Sequence, residues 1–300
     1  MADDARTARE RVQASPPGAR HLVIVVLDSL RYDVWLEAAT PNLDRLGPVE
    51  RRWSYASWTS PSHFNLLTGL PPHTSPKHVY ASLLYRDEYE RYTDRLRVPR
   101  VDLAGLLPEL WLPTFLRDQL GYRTGALVSM PVLNAATGLN RGFDHYELMP
   151  RHDDFGAMVD RLDLGGDRPW FWLLNVGETH YPYTVAGEPA PDLPVLHGVH
   201  GVVRALGNDR ASDSRFDPDV VTELRQRQVR ALEHVDGTFG QLFRRLPADT
   251  WLMVTSDHGE LFGEDGYFGH GPVNHEKVFE VPFVEGINPG IDADTDRGHK

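Results

Sequence analysis

Ionisable side chains follow three apolar segments of this 300-residue chain, at the point where each segment ends. They are Asp28 after residues 21–27, Glu178 and His180 after residues 169–176, and Asp257 and His258 after residues 250–255. Continuous apolar runs rich in β-branched residues are typical of strands in a parallel sheet, and ligands gather at the carboxyl ends of such strands. We expect Gly259 to permit the turn that lets Asp257 and His258 reach one ion. Carboxylates with an imidazole suit Zn²⁺ or Mn²⁺ better than Ca²⁺.

A second chemical feature is the stretch 57–69, in which hydroxyl residues surround a proline and an apolar run ends at Gly69. This pattern predicts a helix capped by Ser60 or Ser62, with Thr59 just before its first turn. The free N–H groups of a helix N-terminus favour an anion, and a hydroxyl held beside an anion is a candidate nucleophile. A bound metal would lower the pKa of Thr59 enough to supply an alkoxide. Taken alone, the stretch is equally consistent with an ordinary capped helix.

Strands and helices alternate along the chain and must bring these groups together. Predicted strands are 21–27, 122–129, 169–176, 250–255 and 281–284, and predicted helices are 40–46, 111–120, 155–162 and 218–245. Alternation of this kind predicts an α/β fold with a mostly parallel central sheet flanked by helices. The predicted organisation is a flexible lead (1–20), one catalytic domain (21–286) and a polar tail (287–300). Residues 71–107 and 186–216 are predicted loops or insertions suited to substrate recognition.

Composition narrows the classes of partner. The net charge is −12, which argues against a nucleic-acid surface and against an anionic membrane surface, but allows a small anionic ester held by a local metal. There is no cysteine, so neither a disulfide nor a thiolate metal ligand can form. The first 20 residues lack the apolar core of a signal peptide, and no apolar run approaches a membrane span. We therefore expect a cytoplasmic protein.

Five stretches, in this order, resemble the sulfatase branch of the alkaline phosphatase superfamily. They are IVVLDSLRYD at 24–33, TPNLDRL at 40–46, TSPSH at 59–63 followed by LTG at 67–69, SDHGE at 256–260, and HG at 270–271 with VPF at 281–283. The third is similar to the C/S-x-P-S-R nucleophile motif, and the fourth to the SDHG metal motif. The resemblance covers about residues 21–285, and it implies a metal-dependent enzyme.

Departures from the sulfatase pattern favour a phosphorus ester over a sulfate ester as the substrate. A sulfatase oxidises cysteine or serine to formylglycine, whereas Thr59 stands at that position and cannot form it. His63 replaces the arginine of the motif, Ser29 replaces a second aspartate, and His258 replaces an asparagine. These changes resemble the phosphodiesterases, phosphonate monoester hydrolases and phosphoethanolamine transferases of the superfamily. The alternatives are a sulfate ester hydrolase without formylglycine and a degenerate, non-catalytic binding protein.

The resemblance also implies a role for each candidate residue. The implied roles are metal binding by Asp28, Asp257 and His258; nucleophilic attack and a fourth metal ligand from Thr59; protonation of the leaving group or substrate binding by His180 and His270; and substrate binding by His63 and Ser29. Glu178, Glu260 and His275 are possible further ligands, so one metal ion or two remain open. The family's C-terminal subdomain is expected to be short or absent, which predicts an open pocket or a protein partner or oligomer that completes it.

Overall fold

A computed structural model of the chain gives the fold. It describes residues 20–75, 81–98, 110–185, 187–189, 203–204, 218–271 and 273–290. Most of the predicted lead, parts of the two predicted recognition loops and the last ten residues lie outside the described residues.

Seven strands form the central sheet, in the order β2–β10–β7–β1–β5–β3–β4. The strands of the protein are β1 Leu22–Leu27, β2 Glu50–Trp53, β3 Arg123–Val128, β4 His145–Leu148, β5 Trp170–Val176, β6 Val203–Arg204, β7 Trp251–Thr255, β8 Leu261–Phe262, β9 Tyr267–Gly269 and β10 Glu280–Ile287. The neighbours β7, β1, β5, β3 and β4 run parallel, while β10 is antiparallel to both β7 and β2. The mostly parallel sheet predicted from the sequence is confirmed. A small second sheet has the order β6–β9–β8.

Helices cover both faces of the central sheet. The α-helices are α1 Tyr32–Trp35, α2 Thr59–Leu67, α3 Ala81–Leu96, α4 Leu112–Leu120, α5 Phe155–Arg161, α6 Pro218–Arg245 and α7 Glu276–Phe279. Alternate residues of β1 divide between two cores: Val23 and Val25 pack with α1, α5 and α6, whereas Leu22 and Ile24 pack with α2, α3 and α4. Because all six residues of β1 are buried, this strand lies at the centre of the fold.

Several elements differ from the sequence prediction. The last strand is longer than predicted and antiparallel, and the amide of Asn288 beyond it donates to the carbonyls of Phe243 and Leu246. The stretch 40–46 contains only a short 3₁₀ helix, Leu43–Leu46. The range 71–107, predicted as a loop or insertion, contains α3, whose buried face includes Tyr89, Tyr92, Arg95 and Leu96.

None of the helices in the described ranges combines the length and the hydrophobicity needed to cross a membrane.

Candidate active site

The three predicted metal ligands meet at the carboxyl edge of the central sheet. Asp28 follows β1, and Asp257 and His258 follow the adjacent parallel strand β7. One ligand atom from each residue lies within 4.8 Å of the other two, and all three side chains are buried. Parallel pairing places the ends of β1 and β7 side by side, so the close approach of these residues follows from the topology.

Hydrogen bonds fix the orientation of the His258 ring. Its Nδ1 lies 2.9 Å from the carbonyl oxygen of Gly259, which can only accept, so the ring proton is on Nδ1. The lone pair of Nε2 therefore points away from the backbone, toward the Thr59 hydroxyl at 3.3 Å. A neutral histidine held in one tautomer by a backbone carbonyl is the usual form of a metal-binding imidazole.

The two carboxylate oxygens of Asp257 differ in their hydrogen bonding. Its Oδ1 accepts the backbone N–H groups of Ser29 (3.1 Å) and His258 (3.0 Å). Its Oδ2 is buried and accepts no hydrogen bond from the described part of the chain. Burial and the nearby Asp28 carboxylate raise the pKa of Asp257 well above its usual range, while burial and the His270 ring lower that of His258. An unpartnered buried oxygen beside a second carboxylate and an imidazole lone pair suits a divalent cation.

Thr59 is the first residue of α2, not the residue before it. The N-cap is Trp58, which is extended and makes no side-chain capping bond, so the predicted caps Ser60 and Ser62 are wrong. Ser60 Oγ donates to the carbonyl of Val132, and Ser62 Oγ lies 3.3 Å from Ser54 Oγ. Thr59 is 3% exposed, and the first N–H groups of α2 have no acceptor within the helix. The hydroxyl and the helix N-terminus thus share one side of the metal-ligand cluster.

Ser29 and His270 extend the cluster on another side. Ser29 has a left-handed φ of 61°, and its Oγ lies 3.2 Å from Asp28 Oδ1 and 3.4 Å from His270 Nδ1. The His270 ring lies 4.2 Å from the His258 ring and 5.2 Å from the His180 ring, measured between centroids. Three imidazoles therefore line the site, and that of His270 contacts both of the others.

The environments of His180 and His63 both disfavour the charged form of the ring. Burial lowers the pKa of each ring, which opposes protonation. His180 Nδ1 donates to the carbonyl of Tyr181 (2.8 Å), and His63 Nδ1 donates to that of Thr59 (2.8 Å). His63 Nδ1 also lies 3.7 Å from Asp257 Oδ2, so this ring sits under the Thr59 turn rather than in open solvent. All eight candidate residues from the sequence lie in this one region, and their roles stay predictions.

Two residues of the site were missed by the sequence reasoning. Asn175, within the apolar run of β5, donates to Asp28 Oδ2 (2.9 Å) and accepts from the N–H groups of Ser129 and Met130 (3.2 Å each). Gln228 interrupts the apolar face of α6, and its amide donates to the backbone carbonyl of Ser29 (3.0 Å). A buried amide inside an apolar strand or stripe is the signal that could have identified both.

The other possible ligands have different partners. Glu260 lies 3.6 Å from His270 Nδ1 and accepts a hydrogen bond from the Tyr183 hydroxyl, so it contacts a candidate site residue. His275 caps α7 by accepting the backbone N–H of Lys277. Glu178 accepts the N–H of Phe155 at 2.6 Å. Within the described residues, the three-ligand cluster is Asp28, Asp257 and His258, which favours the single-metal prediction.

The glycine after the metal ligands is required for a reason other than the one predicted. The φ of Gly259 is not in the left-handed region. Its N–H donates to the carbonyl of Val278, and an added Cβ would lie 2.2 Å from the carbonyl oxygen of Lys277. Close packing against backbone, and not conformational freedom, excludes a side chain here.

We expect Gly259→Ala to destabilise the protein by about 1–3 kcal/mol, because a backbone segment must move to make room. Gly237→Ala in α6 is the matched control: apart from the adjacent residues and the backbone of the helix itself, no described atom lies within 4 Å of the added methyl group, and alanine favours a helix by about 0.8 kcal/mol. Urea unfolding measures both changes. Equal stability of the two variants would contradict the packing argument.

A second prediction concerns Glu178. Burial, with a smaller contribution from Asp153 and Asp154, raises its pKa to about 7 from an ordinary 4.5. Between these two pH values the folded protein holds a proton that the unfolded chain releases, so this group's contribution to stability falls as the pH rises. Glu178→Gln keeps the acceptor oxygen and stays uncharged. We expect it to match the wild type near pH 4 and to be more stable above pH 7, by up to about 3 kcal/mol.

Unfolding free energies measured from pH 4 to pH 8 give this difference directly. Glu90→Gln, the same exchange at an exposed position of α3, is the control. A stability difference between Glu178→Gln and the wild type that does not change with pH would contradict the prediction.

The fold is that of the alkaline phosphatase superfamily, which includes the sulfatases. A family model for sulfatases matches residues 20–293, and the chain belongs to the sulfatase family. Divalent metal binding is a property of that family. No significant match was found among curated proteins.

Solved structures with the same fold include transferases and a hydrolase. The soluble domain of lipooligosaccharide phosphoethanolamine transferase A from Neisseria meningitidis has a TM-score of 0.55 at 15% identity, covering 95% of this chain and 81% of that chain. The phosphonate monoester hydrolase of Agrobacterium radiobacter has a TM-score of 0.54 at 16% identity, covering 90% and 69%. The periplasmic domain of EcEptC from Escherichia coli, a complex with Zn, has a TM-score of 0.53 at 14% identity, covering 91% and 74%. At these identities the likeness is one of fold.

Proposed function

We propose that the protein is a metal-dependent hydrolase or transferase of phosphate esters, phosphodiesters or phosphonates, with Thr59 as the nucleophile. The observation that carries this proposal is the buried Thr59 hydroxyl, which lies 3.3 Å from His258 Nε2 at the N-terminus of a helix. The helix N–H groups favour an anion at this hydroxyl, and so would a cation held by the three ligands. The threonine itself favours phosphorus, because formylglycine cannot form from it.

The residues that would hold the metal ion are Asp28, Asp257, His258 and Thr59. A bound Zn²⁺ or Mn²⁺ would lower the pKa of the threonine hydroxyl and offset the negative charge of the substrate oxygens. The unpartnered Asp257 Oδ2 and the Nε2 lone pair of His258 support this assignment. Two carboxylates with an imidazole also suit these ions better than Ca²⁺.

In the proposed reaction, Thr59 Oγ1 loses its proton to solvent and forms a bond to phosphorus as the bond to the leaving oxygen breaks. The N–H groups at the start of α2 stabilise the charge on the phosphoryl oxygens, which is the largest contribution in this kind of catalysis. His270, which Glu260 and Ser29 orient, donates a proton to the leaving oxygen. Water or an acceptor alcohol then attacks phosphorus as the bond between phosphorus and Thr59 Oγ1 breaks, Thr59 leaves as the alkoxide, and His180 accepts the proton of the attacking water or alcohol.

The remaining roles are binding roles. His63 donates a hydrogen bond to the carbonyl of Thr59 and so holds the first turn of α2 in place. Ser29 lies close enough to Asp28 and His270 to contact either the metal or the substrate anion. The substrate itself is a small anionic ester. Cytoplasmic location, the absence of nucleic-acid and membrane partners, and a partner or oligomer that completes the pocket stay predictions from the sequence.

Metal analysis combined with a panel of substrates tests the function. Purified protein, loaded in turn with Zn²⁺, Mn²⁺ and Ca²⁺, is assayed on an aryl phosphate, an aryl phosphodiester, an aryl phosphonate monoester and an aryl sulfate. We expect turnover of a phosphorus ester with Zn²⁺ or Mn²⁺. Turnover of the sulfate alone would favour the sulfatase alternative. Failure to bind any metal on titration would favour a non-catalytic binding protein.

A further inference from the structure

A large cavity adjoins the candidate site on the side of β3, β4 and β5. Its volume is about 710 Å³, within the range of about 300–1,000 Å³ that is typical of small-molecule pockets. Its walls come from the segments that follow three parallel strands, at the same carboxyl edge as the metal ligands. The proposed catalytic group His180 is itself part of the wall.

Hydrogen bonds connect the cavity wall to the candidate site, and connect the neighbouring segments at Ser60 and Val132 to each other. Asn175 connects Asp28 to the backbone N–H groups of Ser129 and Met130, which line the cavity. On the other side, Ser60, next to Thr59, donates to the carbonyl of Val132, which adjoins the cavity residue Pro131. The cavity therefore adjoins the candidate site, with His180 as the candidate residue that lines it.

The lining of the cavity is mainly apolar. Its apolar lining residues are Met130, Pro131, Leu148, Met149, Pro150, Tyr181 and Pro182. The charged residues Arg151 and Asp153 form a two-point ion pair with each other, with distances of 3.1 and 3.2 Å. The charges of these two residues thus compensate each other, and the buried Nε2 of the lining residue His152 has no hydrogen-bond partner among the described residues.

We infer that this cavity binds the organic half of the substrate, and that this half is an uncharged apolar group such as an aryl ring or a medium-length alkyl chain. The inference rests on the proposed function for the position of the anion, and deepens it by naming the substrate class. Phosphoethanolamine-like and sugar-like groups would leave these walls in contact with polar atoms. Burial of apolar surface instead improves binding by about fourfold for each methylene group.

Binding of two phosphonic acids, which have no ester bond to cleave, tests the inference. Metal-loaded protein is titrated by calorimetry with methylphosphonate and with 1-naphthylphosphonate. We expect the naphthyl compound to bind at least about tenfold more tightly, since binding buries the apolar surface of its rings. Equal affinity, weaker binding of the naphthyl compound, or no binding of either would overturn the inference.

Variants of Leu148 locate the effect. This side chain is 38% exposed at the end of an edge strand, so substitutions there leave the core intact. Leu148→Glu places a charge in the wall and Leu148→Trp reduces the volume; each should remove most of the naphthyl preference and change methylphosphonate binding by less than twofold. Leu36→Glu, at an exposed leucine after α1, is the matched control and should keep the preference. A preference that both Leu148 variants retain would place the naphthyl group elsewhere and overturn the inference.

The outcomes separate this inference from the proposed function. A protein that prefers naphthylphosphonate but cleaves no ester in the substrate panel would retain the apolar subsite and refute the catalytic proposal. A protein that cleaves esters but binds both phosphonates equally would support the catalytic proposal and refute the apolar subsite.

Discussion

Thr59→Ala should abolish turnover, by about 10³-fold or more in kcat, and leave the metal bound. In the proposed reaction the hydroxyl oxygen forms the bond to phosphorus, so no neighbouring group is expected to replace it. Without the Thr59 hydroxyl, Asp28 keeps its bond from Asn175, Asp257 keeps its bond from the Ser29 N–H, and His258 keeps its bond to the Gly259 carbonyl, so the three ligands should stay in place. Metal content by mass spectrometry and steady-state kinetics on the best substrate of the panel measure both effects.

Two matched variants make this prediction specific to one atom. Ser60→Ala removes the adjacent hydroxyl, which donates to Val132 outside the metal cluster, and should keep activity within a few-fold. Thr59→Ser keeps the oxygen and should retain measurable turnover. Intact-mass analysis of quenched wild type should find a phosphoryl adduct that maps to Thr59. Wild-type turnover in Thr59→Ala would remove this residue from the mechanism.

Asp257→Asn should change stability in opposite directions with and without metal. The oxygen of the asparagine amide would still accept the backbone N–H groups of Ser29 and His258. The amide nitrogen would replace Oδ2, and the negative charge of the carboxylate would be lost. In the metal-free protein, Asp28 and Asp257 crowd two buried carboxylates with no cation between them, so the exchange should raise the Tm by ~2–6 °C, equivalent to about 1–2 kcal/mol. With metal, loss of the ligand should weaken binding by at least about 100-fold, abolish activity and lower the Tm of the loaded protein.

Scanning calorimetry in chelator and in saturating Zn²⁺ shows whether the two shifts have opposite signs. Asp236→Asn is the control, since Asp236 is a buried carboxylate that accepts from Leu43 and Asn42 away from the site. It should lower the Tm in both conditions and leave metal affinity unchanged. An Asp257→Asn protein that binds Zn²⁺ as tightly as the wild type would exclude this residue as a ligand.

The elements that position the site were readable from the sequence because they are buried on both faces. β1, β5 and β7 are continuous apolar runs, and the polar residues just beyond β1 and β7 were therefore placed correctly at one edge. The 28 residues of α6 were predicted with the right limits, since its apolar face repeats over many turns. Short strands such as β8 and β9 carry too few residues for any pattern.

Features that depend on contacts between distant segments could not be read from the sequence. The direction of β10 depends on its pairing with both β7 and β2, and an apolar run is compatible with either direction. The start of α2 was misplaced because Ser60 and Ser62 are good local caps, whereas their hydroxyls bond to other segments. In α3, Arg95 is buried by pairing with Glu285 of β10, a partner that lies 190 residues away.

The central position of β1 has a consequence for how the site can open. This strand is paired along its length with β5 on one side and β7 on the other, so the two strands that carry Asp28 and Asp257 cannot separate without breaking the middle of the sheet. Their amide protons should therefore exchange with solvent only at the free energy of global unfolding. The ligand geometry is then held by the same cooperative unit as the fold, and an ion can enter or leave only along a solvent path between side chains.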